Sequence, residues 1–297
     1  MRSTISVIAA LVLAATLVLP GRPPIGTVTV RGRALTVRFY GARSGQPVVV
    51  ASSDGGWIHL APHVAEVLAK AGYFVVGFDS KEYLSAFTSG SQTLNPADEP
   101  GDVRTFIALA AGRGQARPIL IGVSEGAGLA VLAAADPATK AAIAGVLALG
   151  LPDTNELGWR WRDAVIDWMT GMPDEPTFSV AGIIDRVAPV PLAAIHSTGD
   201  ELVPGSIITR IMARAQEPKR LWFVEASNHR FAGNVATFDL RLLEACECIR
   251  SRAGASAPLP NRELAAAPAS GFMTRPHGRD QPPYAGHETG PTARRRP

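Results

Sequence analysis

Arg117-Pro118-Ile119-Leu120-Ile121-Gly122-Val123-Ser124-Glu125-Gly126-Ala127-Gly128-Leu129-Ala130 is an apolar run that breaks at a serine between glycines and resumes as a run of small residues. Ile119 to Ile121 reads as a buried strand and Gly126 to Ala135 as a helix. The turn between them carries Ser124 in the pattern G-x-S-x-G, Gly122 to Gly126. A chain that passes this sharply from strand to helix needs neighbours without a Cβ, because backbone packs closely on backbone there. Such a turn lifts the serine Oγ clear of the sheet, within reach of a histidine. The bare pattern also arises by chance in glycine-rich sequence, where it marks an ordinary strand-helix turn with a surface serine.

Outward from this turn, strands and helices alternate. Thr27 to Val30 and Leu35 to Phe39 flank Arg31-Gly32-Arg33 as an opening hairpin. Pro47 to Ser52 reads as a doubly buried strand, followed by the loop Ser52 to Trp57 and a helix over Leu60 to Ala71. Tyr73 to Asp79 is a strand ending on a polar segment, Ser80 to Tyr83, and Asn95 to Asp102 leads into a helix over Val103 to Ala111. Ile143 to Gly150 supplies another strand. After an excursion at Pro152 to Val187 the alternation resumes, with strands at Val190 to His196 and Leu221 to Glu225 and helices at Ser206 to Ala215 and Leu240 to Arg250. This alternation calls for an α/β fold, a mostly parallel sheet with helices on both faces.

A serine nucleophile needs an acid and a base from loops at the carboxyl ends of strands, in the chain order serine, acid, histidine. Asp200 lies just past the strand ending at His196, with Glu201 beside it as the fallback, and His229 follows the strand Leu221 to Glu225. The oxyanion hole is expected from the Glu125 N–H and from the Ser53-Asp54-Gly55-Gly56 loop, at Gly55 or Gly56. His196 reads as structural, and His59 and His63, separated by Pro62, as surface or core histidines. Neither a phosphate loop nor a dinucleotide fingerprint appears, so cofactor-free hydrolysis is expected. No metal site is expected either, because Cys246 and Cys248 have no second ligand pair, and their spacing on a helix also argues against a disulfide.

The 297 residues are 46% hydrophobic and 19% charged, a globular composition long enough for one large domain and tails. The formal charge of +3 is concentrated beyond Ser251, where seven arginines face Glu263, Asp280 and Glu288. The rest is near neutral and offers no basic stripe for nucleic acid. Arg2, the apolar run Ile5 to Leu19 and Pro20-Gly21-Arg22-Pro23-Pro24 have the layout of a secretory signal, either cleaved or retained as an anchor. The expected organisation is therefore 1–24 signal sequence or anchor, 25–250 catalytic domain, and 251–297 a disordered tail. Export to the periplasm or beyond follows from that reading.

With these motifs in place the sequence resembles the α/β-hydrolase superfamily, and within it the bacterial VirJ/AcvB virulence-protein family. The narrower resemblance rests on Ser53-Asp54-Gly55-Gly56-Trp57 before a helix, on Val75 to Ser80 with Tyr83 soon after, and on Ile121 to Ala127. It covers about residues 45–250. It implies an exported α/β-hydrolase, and some members are understood to hydrolyse aminoacylated phosphatidylglycerol. Two positions of the serine motif depart from the family pattern, Glu125 where an aromatic is usual and Gly128 where an acidic residue is usual, and in the earlier loop Ser53 stands where glycine is usual.

Trp57, Trp159, Arg160 and Trp161 are the candidate substrate-binding residues, the last three with Arg162 and Trp168 forming an aromatic and cationic lid over an anionic, partly apolar ester. The competing reading packs the tryptophans onto the sheet and leaves the arginines in water. The expected partner is thus a small-molecule or lipid ester. A membrane-surface contact through Arg294 to Arg296 is the alternative to a solvated tail, and no protein partner is indicated. A different function class stays open from sequence alone, a non-catalytic periplasmic binding protein on the same scaffold.

Overall fold

The computed structural model describes residues 23–112, 114, 116–160 and 175–255. The expected signal or anchor up to residue 22, the lid residues Trp161, Arg162 and Trp168, and the tail from residue 256 lie outside the described residues. Among the described residues no helix is long and apolar enough to cross a membrane.

One sheet of eight strands organises the fold, in the order β1-β2-β4-β3-β5-β6-β9-β10. Its strands are β1 (Ile25–Val30), β2 (Arg33–Tyr40), β3 (Gln46–Ala51), β4 (Tyr73–Phe78), β5 (Ile119–Val123), β6 (Gly145–Leu149), β9 (Leu192–Ser197) and β10 (Lys219–Val224). From β4 onward every pairing in that order is parallel, whereas β1-β2 and β2-β4 are antiparallel. The β1-β2 turn is Arg31-Gly32, and both residues have positive φ, 44° and 79°. That twist matches the right-handed twist of the strands it joins.

Side chains alternate across the sheet, which is how continuous apolar runs bury both faces. Val48 and Val50 of β3 and Ile119 and Ile121 of β5 point to one side, where α1 (Leu60–Lys70) and a long closing helix, Val235–Ala255, supply Val64, Leu68, Phe238, Leu242 and Ile249. Val49, Ala51 and Leu120 point to the other. There they meet α3 (Glu99–Ala111), α4 (Glu125–Ala134) and α6 (Gly205–Arg214) through Phe106, Leu129, Ile208 and Ile211. The closing helix is α7.

Two helices add to the expected set and an expected one starts early, each for a local reason. Ser80–Ala86 is α2, not a polar loop, because the Asp79 carboxylate caps it by accepting from the Glu82 N–H at 3.2 Å. Its Tyr83 and Leu84 are buried. Pro137–Ala142 is α5, capped by Asp136 through the Thr139 N–H. The third helix, α3, starts at Glu99, before the expected Val103, with Pro100 in the first turn where its missing N–H costs nothing. In the excursion, β7 (Thr154–Glu156) and β8 (Thr177–Ser179) pair as a small antiparallel ribbon, followed by two short 3-10 turns.

A charged cluster ties the first hairpin to α3. Arg31 makes a two-pronged contact to Asp102, 2.8 Å from Nε to Oδ1 and 2.7 Å from Nη2 to Oδ2, and the Tyr83 hydroxyl donates to Oδ2 at 2.8 Å. One turn earlier Glu99 is wholly buried, and among the described residues neither of its carboxyl oxygens has a hydrogen-bond partner. Burial, reinforced by the nearby Asp102, holds its carboxyl well above the ordinary carboxylate range despite the opposing Arg104. A raised folded-state value favours folding of the protonated form, so stability falls as pH rises above the unfolded value, by up to about 1.4 kcal/mol per pH unit. Glu99→Gln is therefore expected to flatten the pH dependence, gaining on wild type at pH 8 relative to pH 5 in urea melts.

Candidate active site

The parallel order places five loops side by side at the carboxyl ends of their strands, where ligands bind in open α/β sheets. Ser124 follows β5, between Ser52 to Trp57 after β3 and Gly150 after β6, while Asp200 and His229 follow β9 and β10. Ser124 itself has φ 52° and ψ −117°, an uncommon conformation for a residue with a side chain. Its N–H is anchored to the Leu149 carbonyl at 2.8 Å. The flanking glycines are sterically required: a Cβ on Gly122 would stand 2.1 Å from the Gly126 oxygen, and one on Gly126 2.2 Å from the Ser52 oxygen.

His229 is buried, and its Nδ1 lies 2.6 Å from Asp200 Oδ2. A ring nitrogen bonded to a carboxylate carries the proton, which leaves Nε2 as the basic atom. Nε2 is buried with no hydrogen-bond partner among the described residues. The other Asp200 oxygen accepts from the Leu202 and Val203 N–H groups at 3.0 and 2.8 Å. Glu201, the fallback acid, does not touch the imidazole; its carboxylate accepts from the His229 backbone N–H at 2.8 Å. Behind the imidazole, Gly150 has φ 61°, and a Cβ there would stand 2.6 Å from His229 Cε1.

Ser124 and His229 open into one cavity of about 240 Å³, lined also by Ser53, Asp54, Gly55, Ile58 and Leu202. Two larger clefts, about 430 and 330 Å³, lie elsewhere; the first is lined by Gln46, Arg117 and Ala144, at the amino ends of β3, β5 and β6. His59, Leu60 and Arg230 complete the lining of the Ser124 cavity along with Val123. Sequence reading missed His59 as a cavity residue. Its positive φ of 54°, at the entry to α1, has no signature in the residue types around it. His63 instead joins α1 to α7 through Asp239, 2.6 Å away.

The nominated oxyanion and substrate residues divide. Glu125 begins α4, so its N–H has no carbonyl four residues back in the helix to bond. Gly55 lines the cavity, but Gly56 does not, and its N–H closes a turn onto the Ser53 oxygen at 3.0 Å. Trp57 also faces away. Its N–H is held by Asp79 Oδ2, its indole N–H donates to the Tyr40 hydroxyl at 3.1 Å, and its ring fills the space above Gly77. Trp159 lies under Lys81, whose Nζ is 4.1 Å from its ring centre, and Arg160 is paired with Glu175 and bonded to the Gly90 carbonyl. These two residues brace the excursion against α2 and the loop after it, away from the described cavity, and Trp161 lies outside the described residues.

The side chain of Glu125 turns away from the reacting centre. It is buried, accepts from the Glu156 backbone N–H of β7, and is kept well above the ordinary carboxylate range by burial and then by Asp54 and Glu156. Gly128, the other departure of the serine motif from the family pattern, faces the same ribbon, with Asn155 in the space a Cβ would take. Both departures thus serve the seating of β7 on α4.

A family model for "Bacterial virulence protein (VirJ)" matches residues 46–248. The chain belongs to the VirJ family. No curated protein matches the sequence. Among solved structures it is similar to a membrane phospholipase A described as a bacterial virulence factor, at 14% identity and TM-score 0.55, covering 77% of this chain and 87% of that one. It is also similar to the Pyrococcus furiosus esterase Pf2001, at 19% identity and TM-score 0.55, over 76% of this chain and 90% of that one. An esterase domain from Rhodothermus marinus matches at 18% identity and TM-score 0.52, over 76% and 99%. At these identities the likeness establishes the α/β-hydrolase fold of this VirJ-family chain.

Gly150 supplies a direct check of the imidazole's placement. Gly150→Ala is expected to push the His229 ring aside and slow labelling of Ser124 by a fluorophosphonate about 10²-fold, since displacements of about 1 Å cost that much. Circular dichroism should show an unchanged fold.

Proposed function

We propose that this VirJ-family chain is a serine hydrolase of carboxylic esters, with Ser124 as nucleophile, His229 as general base and Asp200 as the orienting acid. The observation that carries the reading is the pairing of His229 Nδ1 with Asp200 while Nε2, beside the Ser124 cavity, has no partner among the described residues. Ser124 Oγ attacks the acyl carbon and its proton passes to His229 Nε2. The carbonyl π electrons move to oxygen, which the Glu125 N–H and an N–H of the Ser53 to Gly55 loop stabilise. Collapse expels the alcohol, which takes the proton from His229 and leaves an acyl-serine. Water then repeats the sequence, giving its proton to His229 and releasing the acid and free Ser124.

Ile58 and Leu202 line the mouth while 49% and 67% exposed, a rim suited to an ester with an apolar portion. An aminoacyl-phospholipid ester is the specific substrate proposed, on the family resemblance, with export carried by the N-terminal apolar segment. The decisive experiment is fluorophosphonate labelling of the purified protein. Wild type is expected to label, Ser124→Ala and His229→Ala not to label, and Asp200→Asn to label about 10³–10⁴-fold more slowly. A well-folded wild type that does not label would overturn the reading in favour of a binding protein. Release of amino acid from aminoacyl-phosphatidylglycerol vesicles, compared with release of fatty acid, then assigns the acyl group.

A further inference from the structure

Asp200 is held by more than the backbone of its own loop. His196, the last residue but one of β9, has no exposed surface, and its Nε2 lies 2.9 Å from the Val203 carbonyl. A carbonyl only accepts, so Nε2 carries the proton and Nδ1 is the bare nitrogen. Nδ1 is buried and has no hydrogen-bond partner among the described residues. The same Nε2 is 3.7 Å from Asp200 Oδ2, the oxygen that receives His229 Nδ1. Val203, whose carbonyl His196 holds, is also the residue whose N–H grips Asp200 Oδ1 at 2.8 Å. The imidazole therefore fastens the Val203 end of the short turn that carries the acid, and its Nε2–H stands beside the Asp200 carboxylate without bonding it.

We infer that His196 is a positioning residue, which fixes the Asp200–Val203 turn and so aims Asp200 Oδ2 at His229. It touches none of the reacting atoms, and its effect passes through Asp200. The surroundings favour an uncharged ring. Burial pulls the His196 value down, and the imidazole of His229 opposes a second positive charge, against the attraction of Asp200. The Phe223 ring stands edge-on at 5.9 Å between centres and closes one side. An uncharged His196 leaves the negative charge of Asp200 available to the imidazolium that forms on His229. The bare Nδ1 is the cost of placing a donor at this distance inside the sheet, where no aliphatic residue supplies one.

The inference rests on the Ser124, His229 and Asp200 assignment, and its test separates the two. In the full chain, ¹⁵N-histidine NMR titration is expected to show wild-type His196 as the uncharged Nε2–H tautomer throughout pH 6–9. In His196→Leu, which keeps apolar bulk and removes the donor, the downfield Nδ1–H proton resonance of His229, which reports its hydrogen bond to Asp200, should move upfield as Asp200 loses its aim. Fluorophosphonate labelling should slow about tenfold or more. His196→Gln places an N–H donor at a similar reach and should restore the resonance and bring labelling to within about twofold of wild type. A merely structural role would lower the melting temperature of both variants without moving the His229 resonance. His196 in the Nδ1–H tautomer or charged at pH 7, an unmoved His229 resonance in the Leu variant, or a Gln variant as impaired as Leu would each overturn the inference. Should the Leu variant fail to fold, the wild-type tautomer and the Gln variant decide. The NMR arm needs no turnover, so a wild type that never labels counts against the catalytic reading alone.

Discussion

Backbone packs directly on backbone at the turn from β5 into α4. Gly122 meets the Gly126 carbonyl and Gly126 meets the Ser52 carbonyl, at separations that leave no room for a Cβ. With the chain pinned on both sides, Ser124 takes a positive φ, and the helix starts at once beneath it. Strain of this kind persists only where the surroundings over-determine it. Here the surroundings are two strands with every side chain buried, β5 and β6, and the Leu149 carbonyl that holds the Ser124 N–H. The serine, the entry of α4 and the neighbouring β3 loop are thereby set in one frame.

Much of this was legible in the residues, and for identifiable reasons. The continuous apolar strands announce themselves because burial on both faces removes polar residues from them. Asp200 and His229 were legible because a parallel sheet delivers each loop to the same end, whatever the loop contains. Direction of side chains was not legible. Trp57 and Trp159 look like ligand-binding aromatics in sequence, yet Tyr40 and Asp79 hold the first and Lys81 covers the second. Those partners belong to other elements, so nothing adjacent in the chain signals them. The choice between Gly55 and Gly56 was equally hidden, because the turn hydrogen bond to the Ser53 carbonyl that occupies the Gly56 N–H has no signature in the residue types. The α2 helix was missed for a different reason. Its signal, Asp79 with Glu82 three residues on, was present as a cap but lay in a segment read for its polarity.

Buried carboxyl groups mark where this chain departs from an apolar interior. Asp102 is satisfied by Arg31 and Tyr83, and Glu125 accepts one backbone N–H of β7 while its Oε1 has no partner among the described residues. Each joins elements that the sheet alone does not connect, the opening hairpin to α3 in one case and the excursion to α4 in the other. Glu99 has no such partner among the described residues, and burial holds its carboxyl above the ordinary carboxylate range. A hydrogen-bonded buried carboxyl can specify a contact, whereas an orphaned one mainly adds a proton-linked cost to the fold.

Asp200 and Glu201 grip one residue from two sides, the first at the imidazole and the second at the backbone N–H. Position and orientation of His229 are thus controlled by separate contacts that originate in a single turn. In mechanical language the turn is a clamp with two jaws, and a rigid shift of it carries ring and main chain together without changing the angle between them. Drift in the β10 loop is then corrected where the acid itself sits. Insertions beyond the His229 turn can accumulate without misaligning the base, provided the two adjacent carboxylates keep their spacing.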